Sequence, residues 1–276
     1  MSPVESDEED LTRKQRREQA RTERKAIEEA DAADAARRKR LGQLGAIVAG
    51  VVVVIVVILV ATGGGSKSKP PAPKGKEATK SAQTVNTLLA GIPQSGSVLG
   101  APSATLTMQY FGDLECPFCK EFTVKALPTV IQKWVKTGKL KIEYRSLETA
   151  TREPETFKTQ QVAALAAGKQ NKLWNFVELF YHEQGEEDSG YVTESYLQGL
   201  AQQVPGLNLA TWTTDRNDTS LEAQVTTDAQ AANNAGFTGT PSFLIGKTGG
   251  TLSKFEASSF TDAGPFNEQI EKLLKA

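Results

Sequence analysis

The chain has 276 residues and a formal net charge of −1, with 39% apolar and 24% charged residues. That length allows one or two domains, and the near-zero charge gives no overall reason to expect a nucleic-acid partner. It holds only two cysteines and one histidine, too few for a closed four-ligand zinc site within one chain.

Residues 1–43 form a charged tail with 11 acidic and 11 basic residues. Met1–Asp10 has five acids and no base; Leu11–Arg40 mixes Ala, Glu, Arg and Lys at helix-pair spacing but has almost no apolar stripe. The tail reads as a solvated, partly formed helix or a disordered segment, with a docking helix for a cytoplasmic partner as the alternative.

Residues 44–61 are apolar throughout. As a helix they would reach about 27 Å, enough to cross a thin hydrocarbon core. Arg37-Arg38-Lys39-Arg40 lies just before the run, which places the N-terminus in the cytoplasm and everything after residue 61 outside. A cleaved leader ending at Ala61-Thr62-Gly63 is the alternative, although the region before the run is long for one. Residues 62–83, rich in Gly, Ser, Pro and Lys, read as a spacer from the membrane.

From Thr84 on the composition is that of one domain, with 16 basic and 21 acidic residues, a net of −5 that argues against a polyanion ligand. Val85, Leu88 and Leu89 mark a short amphipathic helix, and Ile92–Gly96 a turn. Leu106–Phe111 reads as a strand that runs into Asp113-Leu114-Glu115-Cys116-Pro117-Phe118-Cys119-Lys120. Phe118, Phe122, Leu127, Val130, Ile131 and Trp134 then give a helix, which Pro128 should kink or split.

The cysteines therefore stand where a strand becomes a helix. Free amides and the positive end of the dipole favour a thiolate there, and Pro117 suits the first helical position. Cys116 is expected as an exposed N-cap and Cys119 as its shielded partner. Lys120 should add to the effect; Asp113 and Glu115 should oppose it. A structural staple is the bland reading, but closing so short a loop contributes only about 2 kcal/mol. Half a zinc site shared between chains and two idle buried thiols are the others. Redox exchange accounts best for the pair.

Leu140–Leu147 alternates as a second strand. Residues 154–234 then read as a run of helices, Ser242–Ile245 and Thr251–Phe255 as a hairpin, and Asp262–Leu274 as a closing helix. His182 suits a surface helix end better than a Cys–His hydrolase. Glu186-Glu187-Asp188 suits a solvated loop better than a calcium site. Gly246-Lys247-Thr248 fails as a phosphate loop, because Pro241 stands where the motif needs glycine.

Phe111–Cys119, the strand–CxxC–helix–strand order, the helical block, and Gly239-Thr240-Pro241-Ser242-Phe243 together resemble the DsbA-like branch of the thioredoxin superfamily over residues 84–276. The resemblance implies an α/β fold, thioredoxin-like with an inserted helical domain at about 154–234, here preceded by a single transmembrane helix. It implies that Cys116 and Cys119 are catalytic, that Pro117 and Phe118 tune the thiolate, and that Thr240 and a cis Pro241 bind substrate. No metal and no cofactor are expected. The implied activity is thiol:disulfide exchange at the outer face of the plasma membrane, most simply a dithiol oxidase that puts disulfides into exported proteins. The implied partners are those reduced proteins, a membrane redox partner that reoxidises the site, and the membrane itself through residues 44–61; nucleic acid is not among them. The best-known members carry a His between the cysteines where this chain has Pro117-Phe118, so a reductase or isomerase stays open. A tethered binding module with an idle disulfide is the reading from another class.

Overall fold

The protein is described here from a computed structural model covering residues 76–276; the charged tail, the apolar run 44–61 and the first part of the spacer lie outside the described residues. The sheet grows from two seven-residue strands, β3 (Leu106–Gly112) and β4 (Leu140–Ser146), which pair in parallel from Leu106↔Leu140 to Gly112↔Ser146. In β4, buried and half-buried residues alternate, so Leu140, Ile142 and Tyr144 share one face. β5 (Ser242–Lys247) pairs antiparallel with the other edge of β3, and β6 (Ser253–Phe255) closes the hairpin.

Two features differ from the sequence reading. First, Ile92–Gly96 is more than a turn. β1 (Gln94–Ser95) and β2 (Val98–Leu99) form a hairpin about Gly96 (φ 57°) and pair on to β4, giving a six-stranded sheet in the order β1-β2-β4-β3-β5-β6. Strands of two residues leave no alternation to detect. Second, α1 spans Lys76–Leu89, so the last eight residues assigned to the spacer are helical. Gly75 is the last strong helix breaker before it, and Ala78 joins Val85, Leu88 and Leu89 in burial.

α2 (Pro117–Lys125) follows the cysteine turn, and α3 (Leu127–Val130) continues it into a π-helical turn at Ile131–Val135. The break falls beside Pro128, which cannot donate the next helical bond. Five helices fill the stretch between β4 and β5: α4 (Pro154–Gly168), α5 (Leu173–His182), α6 (Glu194–Gln203), α7 (Leu209–Asp215) and α8 (Thr219–Asn234). α9 (Gly264–Lys275) packs Phe266 and Ile270 inward. Among the described residues no helix is long and apolar enough to cross a membrane. Asp188, in the loop after α5, pairs with Arg152 at 2.7 Å.

The core is continuous across sheet and insertion. Tyr110, Phe122, Phe243 and Phe266 meet at 4.9–5.6 Å, Tyr110 and Phe243 stacked and the other pairs edge-on or tilted, and burying each contributes roughly 1.5–3 kcal/mol. α5 is buried along almost its whole length and ties the insertion to the sheet: Trp174 Nε1 donates to the Ser97 carbonyl of the hairpin at 2.9 Å.

α5 also carries an anomaly. Glu178 is fully buried, and neither carboxylate oxygen has a hydrogen-bond partner. Burial pushes its carboxyl up to about 8. Its ionised form is thus penalised in the folded state, and stability falls as pH rises from about 4.5 toward 8. Glu178→Gln removes that loss. Urea unfolding of the variant and parent is expected to coincide in pH trend below pH 4 and to separate progressively between pH 4.5 and 8. The gap should widen in the variant's favour by on the order of 5 kcal/mol over that range; a constant gap across pH would contradict this.

Candidate active site

β3 ends at Gly112, and the chain turns through Asp113–Glu115 with the Cys116 amide donating to the Asp113 carbonyl at 3.0 Å. Cys116 is the N-cap of α2 (φ −70°, ψ 121°), and Pro117 opens the helix. The Cys116 side chain makes no close cap hydrogen bond.

What holds this turn is the Asp113 carboxylate, which is fully buried. It accepts from the amides of Glu115 (3.1 Å), Thr149 (2.9 Å), Ala150 (2.8 Å) and Thr151 (3.0 Å), and from the Thr151 hydroxyl (2.6 Å). Charge-assisted bonds of this kind are the strong ones, and they lock the turn to the loop after β4. Asp113 thus spends its charge on these donors. Glu115 is muted differently: burial pushes its carboxyl up to about 7, against the Thr151 hydroxyl, which lowers it. The opposition that both acids were expected to offer Cys116 is therefore small.

Both thiols are free. Cys119 has no exposure, as expected for the inner sulfur, but Cys116 is only 4% exposed, which corrects the expectation of an open N-cap. The cover is the loop before β5. Thr240–Pro241 is a cis peptide, and the Cys116 thiol donates to the Thr240 carbonyl at 3.4 Å. The Thr240 hydroxyl is held in turn by Thr149 at 2.6 Å. The structure thus brings Cys116, Cys119, Thr240 and Pro241 together. Pro117 and Phe118 lie exposed on the rim; Phe118 is 62% exposed and its ring leans toward Phe260 at 6.4 Å. A groove of about 290 Å³ begins at Thr240 and Pro241 and continues along Phe243, Phe255 and Phe260.

The two sulfurs are electrostatically unlike. The Cys116 thiol is lowered to about 7, first by the hydrogen bond from Cys119, then by Thr240 and by the amides of Cys119 and Phe118; burial works against these. The helix amides contribute, but the neighbouring thiol does more. Burial pushes the Cys119 thiol well up, and its bond to Cys116 adds to this. Lys120, expected to help, donates instead to the Gln184 carbonyl at 3.1 Å.

Sequence reasoning missed Gln184. From the loop just past α5 its amide donates to the carbonyls of Leu114 (2.7 Å) and Cys116 (3.1 Å). With Lys120 bonded to its own carbonyl, Gln184 ties the helical insertion to the first turn of α2. Only its position two residues after His182 at a helix end hinted at a loop near the site. His182 itself is the last residue of α5, half-buried, with burial lowering its imidazole. Among the described residues no group of three or more His, Cys, Asp and Glu is placed to hold a metal.

Two measurements check this geometry. Alkylation of the reduced chain by iodoacetamide should modify Cys116 alone, with a midpoint near pH 7; a midpoint near 9 would remove the stabilisation described. Gln184→Leu leaves the buried Leu114 carbonyl without its donor and the Cys116 carbonyl with the Lys120 amide alone, so unfolding free energy should drop by about 1–3 kcal/mol and the Cys116 midpoint should rise. An unchanged midpoint would mean that Gln184 supports the fold without shaping the sulfur's surroundings.

Comparison with known proteins bears on the family and the fold. Residues 94–259 match the thioredoxin family model. Disulfide bond formation protein D of Bacillus subtilis is 24% identical over 183 residues, covering 64% of this chain and 77% of the relative. A probable disulfide bond formation protein D of Bacillus anthracis is also 24% identical, over 184 residues, covering 64% and 77%. Among solved structures, oxidised BdbD from Bacillus subtilis superposes with a TM-score of 0.56 at 22% identity, covering 67% of this chain and 97% of that one. α-DsbA1 of Wolbachia pipientis gives 0.54 at 20% identity, covering 67% and 92%. The chain belongs to the thioredoxin family, and its fold is that of the family's DsbA-like branch.

Proposed function

We propose that this thiol:disulfide oxidoreductase works as a dithiol oxidase, giving the Cys116–Cys119 disulfide to reduced proteins outside the plasma membrane. The observation that carries the reading is the inequality of the two sulfurs: Cys116 lowered to about 7 beside Cys119 and the Thr240 side chain, Cys119 wholly buried and raised. A client thiolate attacks Cys116 Sγ, the bond to Cys119 breaks, and a mixed disulfide forms. A second client thiolate attacks the client sulfur of that bond and releases Cys116 as a stabilised thiolate. The extended client pairs with the backbone at Thr240 while the mixed disulfide lasts. Two electrons and two protons have then passed from client to enzyme, and a membrane redox partner must take them to restore the disulfide.

Residues 44–61 would anchor the chain with its N-terminus in the cytoplasm, and the basic cluster Arg37–Arg40 supports that orientation. The names of the Bacillus relatives, which refer to disulfide bond formation, support the oxidative direction.

One observation favours a milder poise. A thiol near 7 resembles thioredoxin's, roughly 7, more than the roughly 3.5 of a strong oxidant such as DsbA. A reductase or isomerase uses the same residues in the same order.

Two experiments test the proposal. Cys119→Ser should trap client proteins on Cys116 as adducts that vanish on reduction; their absence under oxidising expression would favour a binding module. Equilibration with glutathione should give a pair more oxidising than thioredoxin's roughly −270 mV. A more reducing value would overturn the oxidative direction while leaving the exchange chemistry intact.

A further inference from the structure

The loop that covers Cys116 is held at few points. Gly239 is exposed, and a Cβ added there would meet nothing within 4 Å, so no neighbouring element walls the loop on that side. The Ser242 hydroxyl donates to the Gly239 carbonyl at 2.7 Å, a bond internal to the loop. Thr240 reaches further. Its carbonyl accepts from the Cys116 thiol at 3.4 Å, and its hydroxyl meets that of Thr149 at 2.6 Å.

The redox cycle treats these two ties differently. The first needs the thiol proton of Cys116. In the disulfide, the form that meets a reduced client, that proton is gone, and the Thr240 carbonyl is free to accept an amide of the client. The hydroxyl pair needs nothing from Cys116. Thr149 is itself firmly held: its amide donates to the buried Asp113 carboxylate at 2.9 Å, with the amides of Ala150 and Thr151 beside it at 2.8 and 3.0 Å. Its β-branched side chain has few rotamers to choose from. An exposed residue thus presents its hydroxyl from a fixed base. Stability alone gives little reason for the pair, because one solvent-exposed hydrogen bond adds little to folding. Its place beside the client-pairing carbonyl gives a functional one.

We propose that Thr149 is a positioning residue for the exchange: its hydroxyl holds the Thr240–Pro241 stretch in place beside Cys116 while an extended polypeptide pairs with it, and so favours such clients over small thiols. The inference rests on the pairing of clients at Thr240 proposed above. The covalent step is unchanged. The client thiolate forms a bond to Cys116 Sγ, the Cys116–Cys119 bond breaks, and its electron pair goes to Cys119 Sγ, which takes a proton from water. Thr149 makes and breaks no covalent bond; it acts through Thr240 on where the client sulfur stands, and small misplacements at a reacting centre cost rate.

The test is the rate at which two thiols open the oxidised full-length chain, read by acid quenching and a mass shift. One is an unstructured peptide bearing a single cysteine; the other is 2-mercaptoethanol, which has no amide to pair. Thr149→Val keeps the shape and removes the hydroxyl. It should slow opening by the peptide roughly three- to tenfold, the effect of losing one neutral hydrogen bond, and leave opening by 2-mercaptoethanol unchanged. Thr149→Ser should restore the parent rate. An unchanged peptide rate, equal slowing with both thiols, or no rescue by serine overturns the assignment. If Thr149→Val fails to fold, Thr149→Ala is read by the same criteria. The parent chain is also mixed with the peptide N-methylated on both sides of its cysteine, which should open it more slowly. Equal rates with the two peptides overturn the pairing at Thr240, and this inference with it, a result distinct from failure of Thr149 alone.

Discussion

Asp113 has no contact with water, and its two oxygens gather four amides and a hydroxyl from both sides of the cysteine turn. A buried carboxylate is tolerable only when so surrounded, and once surrounded it is costly to disturb. The loop after β4 is therefore fixed to the turn after β3. Thr149 in that loop holds Thr240, and Thr240 holds the Cys116 thiol. One charge inside the protein thus sets the path from the sheet to the outer sulfur and to the loop that covers it.

The inequality between the cysteines follows from this placement and needs no nearby cation. Cys116 sits at the mouth of α2 with a thiol, the Thr240 side chain and two amides around it; Cys119 sits one turn inward and wholly buried. Hydrogen bonding lowers one sulfur and desolvation raises the other. The insertion takes part through Gln184, so the helices between β4 and β5 hold the redox turn as well as the core.

The sequence made the local features legible and the long-range ones invisible. The alternation Leu140, Ile142, Tyr144 and the break at Pro128 are periodic or covalent signals, and they appear where expected. The pairing of Cys116 with Thr240 across 124 residues came from a family resemblance and from no spacing. The near-complete cover of Cys116 was misjudged for the same reason, since an N-cap is open unless a distant loop closes over it. Gln184 reaches back 68 and 70 residues, and four of the five donors of Asp113 lie 36 to 38 residues ahead. Side-chain bonds of that reach have no period. The hairpin β1–β2 was missed because two residues cannot alternate, and the start of α1 because Lys and Ala suit a spacer as well as a helix.

The central claim is that the sulfur pair passes a disulfide outward through Cys116. Mixing the oxidised full-length chain with a reduced, unfolded protein that bears two cysteines tests it most directly. The account predicts one disulfide formed in the client for each chain that ends with Cys116 and Cys119 as free thiols, and no transfer from a Cys116→Ser variant. A client that stays reduced while the Cys116–Cys119 bond persists would contradict it.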